Sequence, residues 1–196
     1  MESKQRNIIR KAEKAGVQVA AYTGTAAVQH LSDFQRLRVI TQARAISNNA
    51  KASMLLKSDS FFTNILLNYS STLYFASINN EVAACALMLH SGKTTYYYSG
   101  GSDIELNKQT GASAFLIFQA ITDSLLHGQS VFDMGGVPVK PSKEHPAYGV
   151  YKFKSSYGGN YTEYNGGRFI INTLKYRISK TILNNRKIIR ILSKSM

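Results

Sequence analysis

Residues 71–99 read STLYFASINNEVAACALMLHSGKTTYYYS, and this stretch decides the fold. It contains three runs, Ser71–Asn79, Val82–His90 and Thr94–Ser99, that are rich in apolar and aromatic residues typical of β-strands. The connections between them, Asn-Asn-Glu and Ser-Gly-Lys, have the chemistry of tight turns. We therefore predict three consecutive strands that pair as an antiparallel meander.

Helical periodicity surrounds this meander on both sides. Apolar residues recur every three or four positions before it and again after it, from Gly111 to Leu126. We therefore predict one mixed α/β (α+β) domain over residues 1–167, with a mostly antiparallel sheet flanked by helices, and a basic helix in 168–196. The predicted helices are 1–16, 26–46, 59–68, 111–126 and 147–156, and the further strands are 17–21, 131–134 and 161–164.

The positive charge is concentrated near the end of the chain. The net charge is +13, and residues 168–196 contain eight of the 24 Lys and Arg and no acidic residue. Residues 173–194 can form a basic amphipathic helix, which can lie on an anionic membrane surface. Packing of this helix on the sheet or on another domain, and binding of tRNA, are the alternatives.

Several classes of function lack their key residues. The four histidines lie far apart, without zinc-ligand spacing, and no Gly-x-Ser-x-Gly, Walker or Gly-x-Gly-x-x-Gly motif occurs. The single cysteine, Cys85, lies in an apolar strand and is expected to be a buried, unreactive thiol. No signal-peptide core and no run of about 18 apolar residues occurs, so we expect a cytoplasmic protein. Nucleic-acid binding stays open because of the charge.

A candidate site follows the predicted strand 131–134. Asp133 comes before Gly135 and Gly136, where a backbone without side chains can approach a ligand closely. A loop then leads to Lys154, which aromatic residues flank and a second Gly-Gly pair follows. A cation in this position can stabilise a negative charge. The plain alternative is a buried strand, a turn and a surface lysine.

A second candidate lies where residues 107–113 open a helix after the tyrosine-rich strand. Backbone N–H groups at a helix start, with the charge of Lys108, can bind a phosphate. The pattern Lys108-x-x-Gly111-x-Ser113 resembles, loosely, a turn of the GNAT acyltransferases. An ordinary helix start has the same pattern.

Five segments carry distinctive motifs, in order, over roughly residues 5–165. They are 6–17, Thr41–Arg44 (Thr-x-x-Arg), 96–102 (an aromatic strand ending in Gly-Ser), Asp133–Val137 (Asp-x-Gly-Gly) and Tyr151–Gly159. These segments resemble motifs of the FemA/FemB/FemX proteins, where 6–17 matches the helix that opens their second half and 151–159 matches Tyr-x-Phe-Lys-x-x-Phe-Gly-Gly. The resemblance implies a GNAT-like fold and transfer of an aminoacyl group from charged tRNA to an amine on a peptidoglycan precursor, often lipid II. Relatives in the wider superfamily use acyl-CoA and modify sugars of surface polysaccharides.

The resemblance also implies roles for single residues. Lys154 matches a lysine that stabilises the oxyanion and the donor end, beside Phe153. Arg44, in one motif with Thr41, matches an arginine that contacts phosphate of the precursor, and Tyr98 matches a tyrosine of the acceptor cleft. No permanently bound cofactor is implied, since the donor is aminoacyl-tRNA or, in the alternative, acyl-CoA.

The resemblance covers only the second of the two GNAT-like domains of those proteins. The chain is therefore expected to be a single-domain enzyme, half of a split protein whose partner supplies the first domain, or a remnant. In the last case it is a non-catalytic module that binds nucleic acid or a partner protein.

Overall fold

The computed structural model describes residues 1–47, 57–163 and 169–184. The chain divides into two compact units, Met1–Gly159 and Asn160–Met196. The helices are α1 (Ser3–Lys14), α2 (Gly24–Gln29), α3 (Leu31–Ser47), α4 (Asp59–Asn68), α5 (Ile104–Thr110), α6 (Ala112–Leu126), α7 (Tyr148–Ser155) and, in the second unit, α8 (Thr173–Asn184). The strands are β1 (Gln18–Tyr22), β2 (Ser71–Ile78), β3 (Glu81–Ser91), β4 (Thr94–Ser102) and β5 (Val131–Asp133).

The strands form one sheet in the order β1-β2-β3-β4-β5. The first four pair antiparallel, and β5 pairs parallel to β4. The tight turn before β3 places Asn79 and Asn80 at φ 50° and 64°, in the left-handed region that asparagine tolerates. The predicted meander and the predicted fold class are confirmed.

The two faces of the sheet carry separate hydrophobic cores because side chains alternate along each strand. Tyr74, Ala86 and Met88 face the front cluster, which α1 and α6 cover with Ala12, Leu116 and Ile117. Phe75, Cys85 and Leu87 face the back cluster, which α2, α3 and α4 cover with Ala27, Phe34 and Phe62. The thiol of Cys85 is buried as predicted, and burial raises its pKa to about 12.

Two predicted elements differ in the structure. The helix expected at 26–46 is two helices, α2 and α3, because His30 between them leaves helical geometry at φ −100° and ψ 11°. The ring of His30 lies 3.9 Å from the ring of Tyr22, which fixes this break against β1. Residues 161–163 form no strand, so that prediction is wrong for them, and Tyr164 lies outside the described residues. The predicted helical residues 185–194 also lie outside them.

The sheet opens at one end, between β4 and β5. Their pairing covers only Thr94–Tyr96 with Val131–Asp133. Beyond Tyr96 the two strands separate, and within the described residues β4 continues with β3 alone as its strand partner. This opening lies directly before the predicted Asp133–Gly136 segment.

Candidate active site

A cavity of about 270 Å³ lies along the part of β4 that extends beyond its pairing with β5. Its lining includes four predicted site residues: Thr41 and Arg44 from α3, and Phe153 and Lys154 from α7. The lining contains these two cations and no carboxylate, so it favours an anionic ligand. A larger groove of about 490 Å³ lies along α4 and holds none of the predicted residues, so size does not identify the site.

Lys154 contacts the glycine loop that follows β5. Its Nζ donates a hydrogen bond to the carbonyl oxygen of Gly136 at 3.1 Å. Gly135, at φ +74°, donates its N–H to Oδ1 of Asp133 at 2.7 Å. A Cβ at Gly135 would lie 3.4 Å from the Lys154 Nζ and 3.3 Å from the Tyr96 hydroxyl. Gly135 therefore lets this loop approach the lysine closely, whereas a Cβ at Gly136 would meet open space.

Burial lowers the pKa of Lys154, and the nearby carboxylate of Asp133 partly opposes that shift. The ammonium group also lies 5.7 Å from the ring centroid of Tyr97, within the range of a cation–π contact. Since an ammonium group has three donors and one is used by Gly136, two remain for a ligand.

Three contacts hold α7 in place. Phe153 packs on the front cluster, and its ring centroid lies 5.6 Å from that of Tyr157 in an edge-on arrangement. The Tyr157 hydroxyl donates to the carbonyl oxygen of Ala114 on α6 at 3.0 Å. At the end of α7, the carbonyl oxygen of Ser156 accepts a hydrogen bond from the Glu2 N–H at 2.9 Å. The lysine therefore projects from a helix that is fixed on two sides.

The opposite wall comes from α3, which lies very close to β4. A Cβ at Gly101 would lie against the backbone of Leu37, so only glycine permits this approach. The Thr41 hydroxyl accepts a hydrogen bond from the Ser102 N–H at 2.9 Å and joins helix to strand. Arg44, one turn further along, lines the cavity, and its guanidinium makes no hydrogen bond or ion pair with another described residue. It is therefore available to a ligand.

Tyr97, rather than Tyr98, lines the cavity. The β3–β4 register shifts between Leu87 and Met88, so that Ser99 pairs with Leu87 and Tyr97 pairs with Met88. The extra residue, Tyr98, follows Leu87 to the back face, where its side chain packs on the back cluster. The run of three tyrosines at 96–98 could not show this bulge, and the role predicted for Tyr98 stays a prediction.

The predicted phosphate turn is filled by the protein's own side chains. The Ser113 N–H donates to Oδ1 of Asn107 at 2.8 Å, and the Ala112 N–H donates to Oγ1 of Thr110 at 3.2 Å. Lys108 is exposed in the last turn of α5 and lies outside the cavity lining. Gly111 is needed for another reason: its φ is +75°, and a Cβ there would collide with Ile8 of α1.

The sequence analysis assigned no role to three polar residues of the lining, Tyr97, Ser102 and Asn107. Asn107 opens the predicted turn, and its side chain occupies the helix start that was assigned to a phosphate. Within residues 1–47, 57–163 and 169–184, no cluster of three His, Cys, Asp or Glu side chains could hold a metal ion. The same residues contain no helix long and apolar enough to cross a membrane.

Comparison with known proteins identifies the family. The FemAB family model matches residues 74–184, which is more than half of the chain. The chain belongs to the FemAB family. The matched range includes most of β2, all of β3 to β5, the Asp133–Gly136 loop and α7 with Lys154. The predicted resemblance is confirmed.

Individual relatives are more distant. The chain is 29% identical over 98 residues to a lipid II:glycine glycyltransferase from Staphylococcus saprophyticus, and it covers 23% of that protein. A crystal structure of FemX matches with a TM-score of 0.66 and 17% identity, over 80% of this chain and 54% of FemX. The chain therefore spans about a quarter of the glycyltransferase and about half of FemX.

Acetyltransferases share the fold as well. A probable acetyltransferase matches with a TM-score of 0.55 and 14% identity, over 79% of this chain and 99% of its own. An aminoglycoside acetyltransferase from an uncultured soil sample matches with a TM-score of 0.51 and 10% identity, over 80% of this chain and 97% of its own. These likenesses show a GNAT-like fold, as predicted.

Proposed function

We propose that this FemAB-family chain is an acyltransferase domain that moves an aminoacyl group from charged tRNA to an amine of a peptidoglycan precursor. The observation that carries the proposal is the joint placement of Lys154 and Arg44 in one cavity without a carboxylate. The cavity lies beside the part of β4 that extends beyond its pairing with β5, and Lys154 enters it from α7.

In the proposed reaction the acceptor nitrogen attacks the carbonyl carbon of the aminoacyl ester, and the carbonyl oxygen gains negative charge. The ammonium group of Lys154, held by Gly136, is placed to stabilise that oxygen. The C–O bond to the tRNA then breaks. The released 3′ oxygen gains the proton that the amine loses, and the products are an amide and a free hydroxyl. Holding both substrates in one cavity makes the attack effectively unimolecular.

Arg44 is proposed to bind the acceptor. Its guanidinium, which no other described residue engages, suits a phosphate, which it can contact through two parallel hydrogen bonds. Thr41 then has a supporting role, since its hydroxyl is already bonded to the Ser102 N–H. The family's precursor substrates carry phosphate, which agrees with a cationic wall opposite the lysine.

The filled turn at the start of α6 favours tRNA over acyl-CoA as donor. A CoA-type donor presents phosphates, and a helix start binds phosphate through free backbone N–H groups. Here Asn107 and Thr110 already accept from the Ser113 and Ala112 N–H groups. Acyl-CoA-dependent transfer to a polysaccharide sugar is therefore the second candidate.

Because the chain covers only part of its longer relatives, we propose that a partner supplies further acceptor contacts. The FemX relative is longer, since 80% of this chain covers only 54% of it. Residues 1–196 by themselves are therefore expected to bind the precursor with weak affinity.

The second unit is proposed to contact the inner membrane surface. In α8 and the residues before it, Phe169, Ile171, Leu174 and Ile178 are exposed apolar side chains. Lys175, Arg177 and Lys180 are exposed on the same helix. The full-length protein should pellet with anionic liposomes at low salt, and protein cut after Asn172 should not. Equal pelleting of both forms, or of neither, would remove this proposal.

Binding measurements test the proposed function. The purified protein should bind charged tRNA and UDP-MurNAc-pentapeptide, and it should not bind acetyl-CoA. Binding of acetyl-CoA alone would support the second candidate. Tight, sequence-specific binding of a DNA duplex would instead support the non-catalytic nucleic-acid reading.

A further inference from the structure

Tyr97 carries a hydroxyl group that the fold leaves without a partner. No hydrogen bond joins this hydroxyl to another residue of the described ranges. Other tyrosines of the front cluster are satisfied, since Tyr74 bonds to Asp123 and Tyr157 bonds to the carbonyl oxygen of Ala114. Tyr97 is partly buried and lines the cavity, so this hydroxyl can donate a hydrogen bond to a ligand bound there.

A glycine makes the space that this hydroxyl occupies. A Cβ at Gly100 would collide with the Tyr97 hydroxyl, and it would also lie 2.7 Å from the carbonyl oxygen of Cys85. Gly100 and Tyr97 both line the cavity. Because residue 100 is a glycine, the Tyr97 side chain has room to occupy this position at the cavity wall.

The same tyrosine lies against the candidate catalytic lysine. The Nζ of Lys154 is 5.7 Å from the ring centroid of Tyr97. The Tyr97 carbonyl oxygen would be 3.3 Å from a Cβ at Gly135, so the backbone of Tyr97 lies beside the glycine loop that contacts the lysine. Burial raises the pKa of Tyr97, which keeps the phenol protonated and able to donate near neutral pH.

We infer that Tyr97 is a second catalytic residue, whose hydroxyl donates a hydrogen bond to the carbonyl oxygen that gains charge during acyl transfer, together with Lys154. The inference rests on the proposed function. As the amine attacks, the carbonyl π electrons move to oxygen, which then accepts from both donors. When the C–O bond to the tRNA breaks, the pair returns to form the amide carbonyl, and neither donor loses its proton.

The variant Tyr97→Phe removes only the hydroxyl oxygen. The matched control is Tyr74→Phe, another buried tyrosine of the front cluster, whose hydroxyl is bonded to Asp123 outside the cavity lining. Tyr97→Phe should leave urea unfolding almost unchanged, because no protein hydrogen bond is lost. Tyr74→Phe should lower stability and leave the site intact. A purely structural role for Tyr97 would give the opposite pattern.

The probe is a short tRNA acceptor stem that ends in an aminoalkyl phosphonate, which mimics the charged tetrahedral intermediate. A stem that ends in an amide-linked amino acid mimics the ground state. Calorimetry should show that Tyr97→Phe weakens binding of the phosphonate about 10²-fold and changes binding of the amide stem less than about 3-fold. Tyr74→Phe should bind both stems like the wild type.

Equal phosphonate binding by the wild type and Tyr97→Phe would overturn the role of Tyr97 and leave the proposed function standing. Equal weakening for both stems would also overturn it, since that result indicates ordinary contact with the donor. Failure of the wild type to bind either stem would overturn both the donor assignment and this inference.

Discussion

Removing the ammonium group of Lys154 is the most direct perturbation of the candidate site. In Lys154→Ala the hydrogen bond from Nζ to the Gly136 carbonyl oxygen is lost, and so is the cation above the Tyr97 ring. Loss of one donor to an oxyanion costs about 10²–10³ in turnover, or about 2.7–4 kcal/mol of transition-state stabilisation. Folding should change little, because the lost contacts are offset by relief of the desolvation that lowers the pKa of this lysine.

The assay is single-turnover transfer from charged tRNA to the precursor at saturating substrate, with thermal unfolding measured in parallel. The matched control is Lys152→Ala, which removes the same charge from an exposed position on α7. We expect Lys152→Ala to react like the wild type and Lys154→Ala to lose turnover at unchanged KM. Equal turnover of Lys154→Ala and the wild type would refute the reasoning.

Three further predictions follow from the geometry. Arg44→Ala should raise KM for the phosphate-bearing acceptor at least about tenfold in steady-state assays, whereas Arg36→Ala on the same helix should not; equal effects would refute a phosphate contact. Gly128→Ala should lower the urea-derived free energy of unfolding by about 1–2 kcal/mol, the cost of left-handed backbone strain alone, because a Cβ there meets open space. Gly111→Ala should lower it by more, because a Cβ at 111 also meets Ile8 of α1. Turnover should fall as the pH rises through the pKa of Lys154, which is lowered from the ordinary 10.5. Between that lowered pKa and 10.5 the free energy of unfolding should rise with pH, because the unfolded chain binds more protons. A flat turnover profile over this pH range would contradict a protonated lysine.

The meander was predictable because its information is local. Alternating apolar residues and two-residue turns specify pairing between neighbours in sequence, and the structure joins β2, β3 and β4 in that order. The break at His30 was not predictable, since both α2 and α3 continue the apolar periodicity. It depends on a contact with Tyr22, which lies on a separate strand.

The site was predictable where a motif specifies backbone geometry. The Gly135–Gly136 pair and Lys154 meet as their spacing indicated, with the glycine φ in the left-handed region. The sequence could not show whether Tyr97 or Tyr98 faces the cavity. A β-bulge decides which of the two does so, and it leaves no mark in the sequence pattern. The filled turn at Asn107 also depends on tertiary placement of a side chain.

The central claim is that this FemAB-family chain transfers an aminoacyl group from tRNA. The most direct measurement supplies tRNA charged with a mixture of radiolabelled amino acids, together with UDP-MurNAc-pentapeptide or lipid II, and follows label in the precursor. The account predicts alkali-stable, amide-linked label that depends on Lys154, and no transfer of label from acetyl-CoA. Transfer from acetyl-CoA alone, or label that appears equally with Lys154→Ala, would contradict it.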